Sequence, residues 1–248
     1  MKYFIANWKS NKTLPEVKHW LEVFSTQLST RRYPQDMCVL LAVPFPFLSL
    51  TSAWLENWKQ TYAQVQAPVQ IELAVQDVSH FPAGSYTGAV SAMQLKEFGV
   101  KFALVGHSER RIYFHENSRE VSAKVTQLLG EGISPVICVD APYIEEQATE
   151  LKLEIPFAAM KKVLVAYEAL DAIGTGESVD SATFLQSKEV IQKAFGEIPV
   201  LYGGSVSSEN VREYVIALDE AQCAAGVLVG TASLDPMDFI AILDRVNG

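Results

Sequence analysis

Eight short apolar runs recur along this chain, each followed by a longer amphipathic stretch. That alternation limits the available folds more than any other feature. The runs are Tyr3–Asn7, Cys38–Val43, Ile71–Val75, Phe102–Val105, Pro135–Val139, Val163–Tyr167, Pro199–Tyr202 and Gly226–Val229. Most are almost wholly apolar rather than alternating, as expected of strands buried on both faces of a parallel sheet. Parallel strands need crossovers, and the intervening stretches read as helices. Thr13 and Glu16 have capping-box spacing. Asn117 or Ser118 can cap a helix that buries Val121, Val125, Leu128 and Leu129. Asp235-Pro236 opens a last helix with Phe239, Ile240 and Leu243 on its inner face. About eight strand–helix units in 248 residues predict an α/β protein. The expected architecture is a (β/α)8 barrel, with residues 1–248 as one domain. Two places are less regular. Residues 52–70, with Trp54, Trp58 and Tyr62, predict a long second helix plus a loop. Residues 140–161, with Pro142 and Pro156, predict a poor helix.

The chain carries 29 acidic against 20 basic residues, a net charge of -9. That balance argues against nucleic acid and against an anionic membrane surface, both of which call for concentrated Lys and Arg. A small anionic substrate stays possible, because one local cation and aimed backbone N–H groups can overcome a modest overall field. Cys38, Cys138 and Cys223 are too few and too scattered for a disulfide framework, and are expected to be reduced thiols in a cytoplasmic protein. No Cys/His cluster has zinc-ligand spacing, so no metal is expected. The N-terminal stretch turns polar too soon for a secretory segment, and no apolar run is long enough to cross a bilayer.

Polar groups gather where the runs end: Asn7-Trp8-Lys9, Gly106-His107-Ser108-Glu109-Arg110-Arg111, Glu168, Tyr202-Gly203-Gly204-Ser205 and Gly230-Thr231-Ala232-Ser233. In a barrel all of these meet on one face, where barrel enzymes work. Glu168 closes an apolar run and precedes a glycine-punctuated segment, so it is a candidate general base behind a mobile flap. His107 precedes a short helix whose N-terminal dipole disfavours an imidazolium; a neutral ring there can donate to a developing oxyanion. Lys9 supplies a cation. Gly-Gly-Ser and Gly-Thr offer N–H groups to a phosphate. Each piece alone has an ordinary reading: a turn, a surface Glu, or an ion-paired Glu109 beside two arginines. Glu109 can equally orient Lys9. His19, His80 and His115 read as solvated or loop histidines. Together the parts suggest proton abstraction next to a carbonyl in a phosphorylated small molecule.

At this point the chain resembles the triosephosphate isomerase family over nearly its full length. The resemblance rests on Ala6-Asn7-Trp8-Lys9, Gln76-Asp77-Val78-Ser79, Gly84-Ser85-Tyr86-Thr87-Gly88, Val105 through Arg111, Ala166-Tyr167-Glu168, Ala172 through Gly176, Tyr202 through Val206 and Leu228-Val229-Gly230. It implies a TIM barrel that interconverts dihydroxyacetone phosphate and glyceraldehyde 3-phosphate. Glu168 would shuttle the proton, neutral His107 would polarise the carbonyl, and Lys9 and Asn7 would stabilise the enediolate. Gly174, Ser205, Gly230 and Thr231 would hold the phosphate. Ala169, Leu170, Asp171, Ala172 and Ile173 would form the flap, with Tyr202 and Leu228 as its clamp. The loop around Thr87 implies a homodimer, and no cofactor is implied.

The chain departs from the family pattern in the flap, where Ala169-Leu170-Asp171 stands for the usual Pro-Val-Trp. Freeing φ at the hinge raises the entropic cost of closure. An unpaired Asp171 would resist desolvation if buried. Slower turnover follows, and a catalytically weak or silent relative acting as an interaction protein is the alternative. A third reading is a phosphate-binding barrel for another substrate. Thr231 replaces a second Gly, Ala89 replaces a Glu in the subunit contact, and Asp140-Ala141 replaces Gly-Glu, which puts local packing there in question.

Overall fold

The structure, a computed structural model, describes residues 1–62, 68–154, 162–169, 178–220 and 226–247. Eight parallel strands close into a barrel in chain order. They are β1 Lys2–Asn7, β2 Met37–Val43, β3 Gln70–Val75, β4 Phe102–Val105, β5 Ser134–Ala141, β6 Leu164–Ala169, β7 Val200–Tyr202 and β8 Gly226–Val229. Around them lie α1 Leu14–Ser29, α2 Leu48–Thr61, α3 Ala92–Glu97, α4 Ser108–Phe114, α5 Ser118–Gly130, α6 Ile144–Glu154, α7 Ser181–Phe195, α8 Val211–Glu220 and α9 Pro236–Asn247. The expected (β/α)8 barrel is borne out. The second helix runs to Thr61 and a loop follows it, as expected of residues 52–70; residues 63–67 of that loop lie outside the described residues. In the fifth unit α6 forms after Pro142, while Pro156 lies outside the described residues, as does Cys223.

Side chains alternate between two cores. All eight strands send residues into the barrel interior, among them Ile5, Leu40, Leu104, Cys138, Ala166 and Leu228. Their neighbours point outward and pack on the inner faces of the helices. The helices start as their caps dictate. Asn117 Oδ1 accepts the Glu120 N–H at 3.0 Å, and the Glu120 carboxylate accepts the Asn117 N–H at 3.0 Å. Val121, Val125 and Leu128 are buried as the spacing predicts, and Leu129 is partly buried. The Glu16 carboxylate takes the Thr13 N–H at 2.6 Å.

The period of two fixes what reaches the barrel mouth. Leu164 and Ala166 point inward on β6, so Glu168 does as well. Val136 and Cys138 point inward on β5, so Asp140 follows, and Ile5 is followed by Asn7 on β1. Strands β5 and β6 run on to Ala141 and Ala169, past the polar residues at which their apolar runs stop.

Candidate active site

The strand ends bring Asn7, Lys9, His107, Glu168, Ser205, Leu228, Gly230 and Thr231 to one cleft of about 570 Å³. Gly203, Gly204, Ser207, Asn210 and Asp238 line it as well. Glu168 is 1% exposed and His107 is 6% exposed. The Glu168 carboxylate is bound at both oxygens. Oε1 lies 2.8 Å from His107 Nε2, and Oε2 accepts the Ser108 N–H at 2.7 Å. His107 is the N-cap of α4, and the Glu109 N–H donates to its Nδ1 at 3.2 Å. With Nδ1 accepting, the ring proton is on Nε2 and is donated to Glu168.

Lys9 adopts φ 51, a left-handed backbone uncommon outside glycine. Its N–H donates to Asn7 Oδ1 at 3.1 Å, and its Nζ to Glu109 Oε1 at 2.7 Å. Glu109 thus flanks Lys9 from beside the cleft. A Cβ on Gly230 would lie 3.4 Å from Lys9 Cε, an ordinary van der Waals contact. Gly204 is tighter still: a Cβ there would collide with the Tyr202 ring. Tyr202 lies behind the cleft wall, stacked on Tyr214 at 3.8 Å, and its hydroxyl accepts the Val179 N–H at 3.2 Å. Asn210 braces the same loop, donating to Ser205 O at 2.8 Å and accepting the Ser207 N–H at 2.9 Å.

A family model described as triosephosphate isomerase matches residues 2–246. The chain is 35% identical to a triosephosphate isomerase of Mesomycoplasma hyorhinis, over 96% of each chain. It is 36% identical to one of Paracidovorax citrulli, over 98% of this chain and 97% of that one. With one of Streptococcus thermophilus the identity is 32%, over 99% of each. The chain belongs to the triosephosphate isomerase family.

The electrostatics of this family member centre on the buried His107–Glu168 pair. Burial works to raise the Glu168 pKa, but His107, the Ser108 N–H and Asp140 outweigh it and hold the group below the usual carboxylate value. Burial works to lower the His107 pKa, and the Glu168 carboxylate outweighs it, so the net movement is upward. The α4 dipole therefore does not act on the ring alone. The Glu109 N–H opposes a second proton more directly, because it fills the only lone pair that could take one.

Of the flap positions, Ala169 ends β6 and is 3% exposed, while Leu170, Asp171, Ala172, Ile173 and Gly174 lie outside the described residues. Thr87 is exposed on the loop after β3, away from the cleft. Sequence reasoning missed two groups that touch Glu168: the Ser108 N–H and the Asp140 side chain. The first carries no side-chain signal. The second had one, an acid at inward parity two residues after Cys138.

Proposed function

We propose that this chain interconverts dihydroxyacetone phosphate and D-glyceraldehyde 3-phosphate by proton transfer through an enediolate. The observation that carries this reading is the buried Glu168 carboxylate, 2.8 Å from His107 Nε2 in a cleft that Lys9 also lines. Glu168 takes the proton from C1 of the ketone, and the C–H electron pair becomes the C1–C2 double bond. The carbonyl electrons move to the oxygen on C2, which takes over from Glu168 as acceptor of the His107 Nε2–H. His107 gives its Nε2 proton to O2 and takes the hydroxyl proton from O1, and return of the carbon-bound proton from Glu168 to C2 then gives the aldehyde. Lys9 and Asn7 stabilise the enediolate, and Glu109 orients Lys9. The N–H groups of Gly174, Ser205, Gly230 and Thr231 take the phosphate. Leu228 and the flap from Ala169 to Ile173 exclude water above the base, with Tyr202 supporting the wall. No cofactor enters these steps.

A coupled assay tests the reading. Glu168→Gln is expected to lower kcat about a thousandfold. Wild-type turnover no higher than that variant's would point instead to a silent relative. We also propose that the atypical flap slows turnover: Ala169→Pro with Asp171→Trp is expected to raise kcat about two- to fivefold, and an unchanged kcat would remove the idea. The protein is further proposed to act in the cytoplasm as a homodimer joined through the loop around Thr87, with residues 1–248 as one domain that binds neither nucleic acid nor membrane. Among the described residues, no helix is long and apolar enough to cross a bilayer.

A further inference from the structure

A second buried carboxyl group stands beside the base. Asp140 is the register partner of Glu168 across β5 and β6, at the inward parity of Val136 and Cys138, and is 4% exposed. The Gln147 amide donates to Asp140 Oδ2 at 3.1 Å, and the Asp140 N–H donates to Gln147 Oε1 at 2.9 Å. Arg111 Nε is 3.8 Å from Oδ2. Oδ1 has no donor among the described residues. Beside Asp140 stands its register partner Glu168, and each of the two carboxyl groups moves the other's pKa.

Two carboxyl groups in contact can share a proton, but cannot both ionise without repulsion. Their neighbours decide which one keeps it. His107 and the Ser108 N–H face Glu168, and both favour its anion. Gln147 and Arg111 face Asp140 with weaker geometry. The Cys138 thiol faces both; burial and the two carboxylates push its pKa well up, so it stays neutral. The shared proton therefore sits on Asp140, whose pKa burial and the Glu168 charge push up to about 6.

We propose that Asp140 is a positioning residue for Glu168, holding the base against His107 and Ser108 while it carries a proton and driving it toward the substrate once ionised. The inference rests on the isomerase reading. A protonated Asp140 is a donor to the Glu168 anion and weakens it as a base. An ionised Asp140 repels that anion, strengthens it as a base and loosens its docking. Turnover therefore falls as pH drops through the Asp140 titration.

The test compares kcat against pH for the full chain, Asp140→Asn and Gln147→Met. The substrate phosphate itself titrates near ~6, so the readout is the difference between chains. Asp140→Asn keeps a donor beside Glu168 at every pH. Its kcat at about pH 8 is expected to fall about tenfold with KM moved less than about twofold, and its acid limb to move down by about half a unit or more. Gln147→Met removes a donor that favours the Asp140 anion, so its acid limb moves up. Limbs that coincide in all three chains would overturn the proposal. A carboxyl ¹³C NMR titration of the wild-type protein needs neither turnover nor the Asp140 variant. The Glu168 signal, assigned by its loss in Glu168→Gln, is expected to show two inflections, and one inflection alone would overturn the proposal. Two inflections without turnover at any pH would sink the isomerase reading and support the pair.

Discussion

Glu168 and Asp140 show how far single residues can be read. An acid at the end of an apolar run, before glycines, is legible as a base from sequence. What grips it is not, because the Ser108 N–H and the Asp140 carboxyl reach it only through the register of β5 on β6 and the turn into α4. The same contact has a cost in stability. Asp140 rises from its ordinary 3.8 to about 6 in the folded protein, so the folded state binds its proton more tightly than the unfolded chain does. The penalty is absent below pH 3.8, grows as pH rises toward 6, and is complete above it. Asp140→Asn is therefore expected to be more stable than wild type to urea at about pH 8 and no more stable at about pH 4. An equal difference at both pH values would assign the effect to packing.

At the scale of elements, the strands were legible because burial on both faces leaves nearly continuous apolar runs. Their ends were less so, because β5 and β6 finish with the polar residues that the site needs. Helix α5 hides a feature of the opposite kind. Lys124 sits on its buried face beside Val121, Val125 and Leu128, with its side chain 4% exposed. Its Nζ binds Asp77 Oδ1 at 2.6 Å and Glu116 Oε2 at 2.8 Å, and Arg110 binds the same two carboxylates at 2.8 and 2.6 Å. A lysine in an apolar helical stripe was the available signal. Two carboxylates brought together from β3's following loop and α4's following turn repel each other, and the two cations between them offset that repulsion. Lys124→Met is expected to destabilise the fold by about 3 kcal/mol, since it leaves two carboxylates with one cation between them. Urea unfolding at neutral pH measures it, and a loss below about 1 kcal/mol would mean that Arg110 alone suffices.

At the scale of the whole molecule, the same network links the cleft to an exposed surface. Residues 81–89 form a continuous exposed run. Within it the rings of Phe81 and Tyr86 stack at 4.3 Å and 4°, which gives the loop a shape of its own. Close by, α4 leaves Ile112, Tyr113 and Phe114 exposed at 55%, 72% and 67%. So large an apolar exposure on one short helix is costly to leave in water and suits a protein interface. Arg110 joins the two regions, pairing with Asp77 at the base of the loop and lying 4.8 Å over the Phe114 ring. The helix that offers this surface begins at His107 and Ser108, the groups that hold Glu168. In the homodimer proposed above, separation of the two copies should therefore disturb the base as well as expose the patch. Thr87→Glu places a charge at the exposed loop, so sedimentation velocity is expected to show two copies for wild type and one for the variant. The monomer is expected to lose about tenfold or more in kcat, because positioning errors of about an ångström carry such penalties. A monomeric Thr87→Glu with full kcat would separate the interface from the chemistry, and a wild-type chain sedimenting as one copy would remove the homodimer.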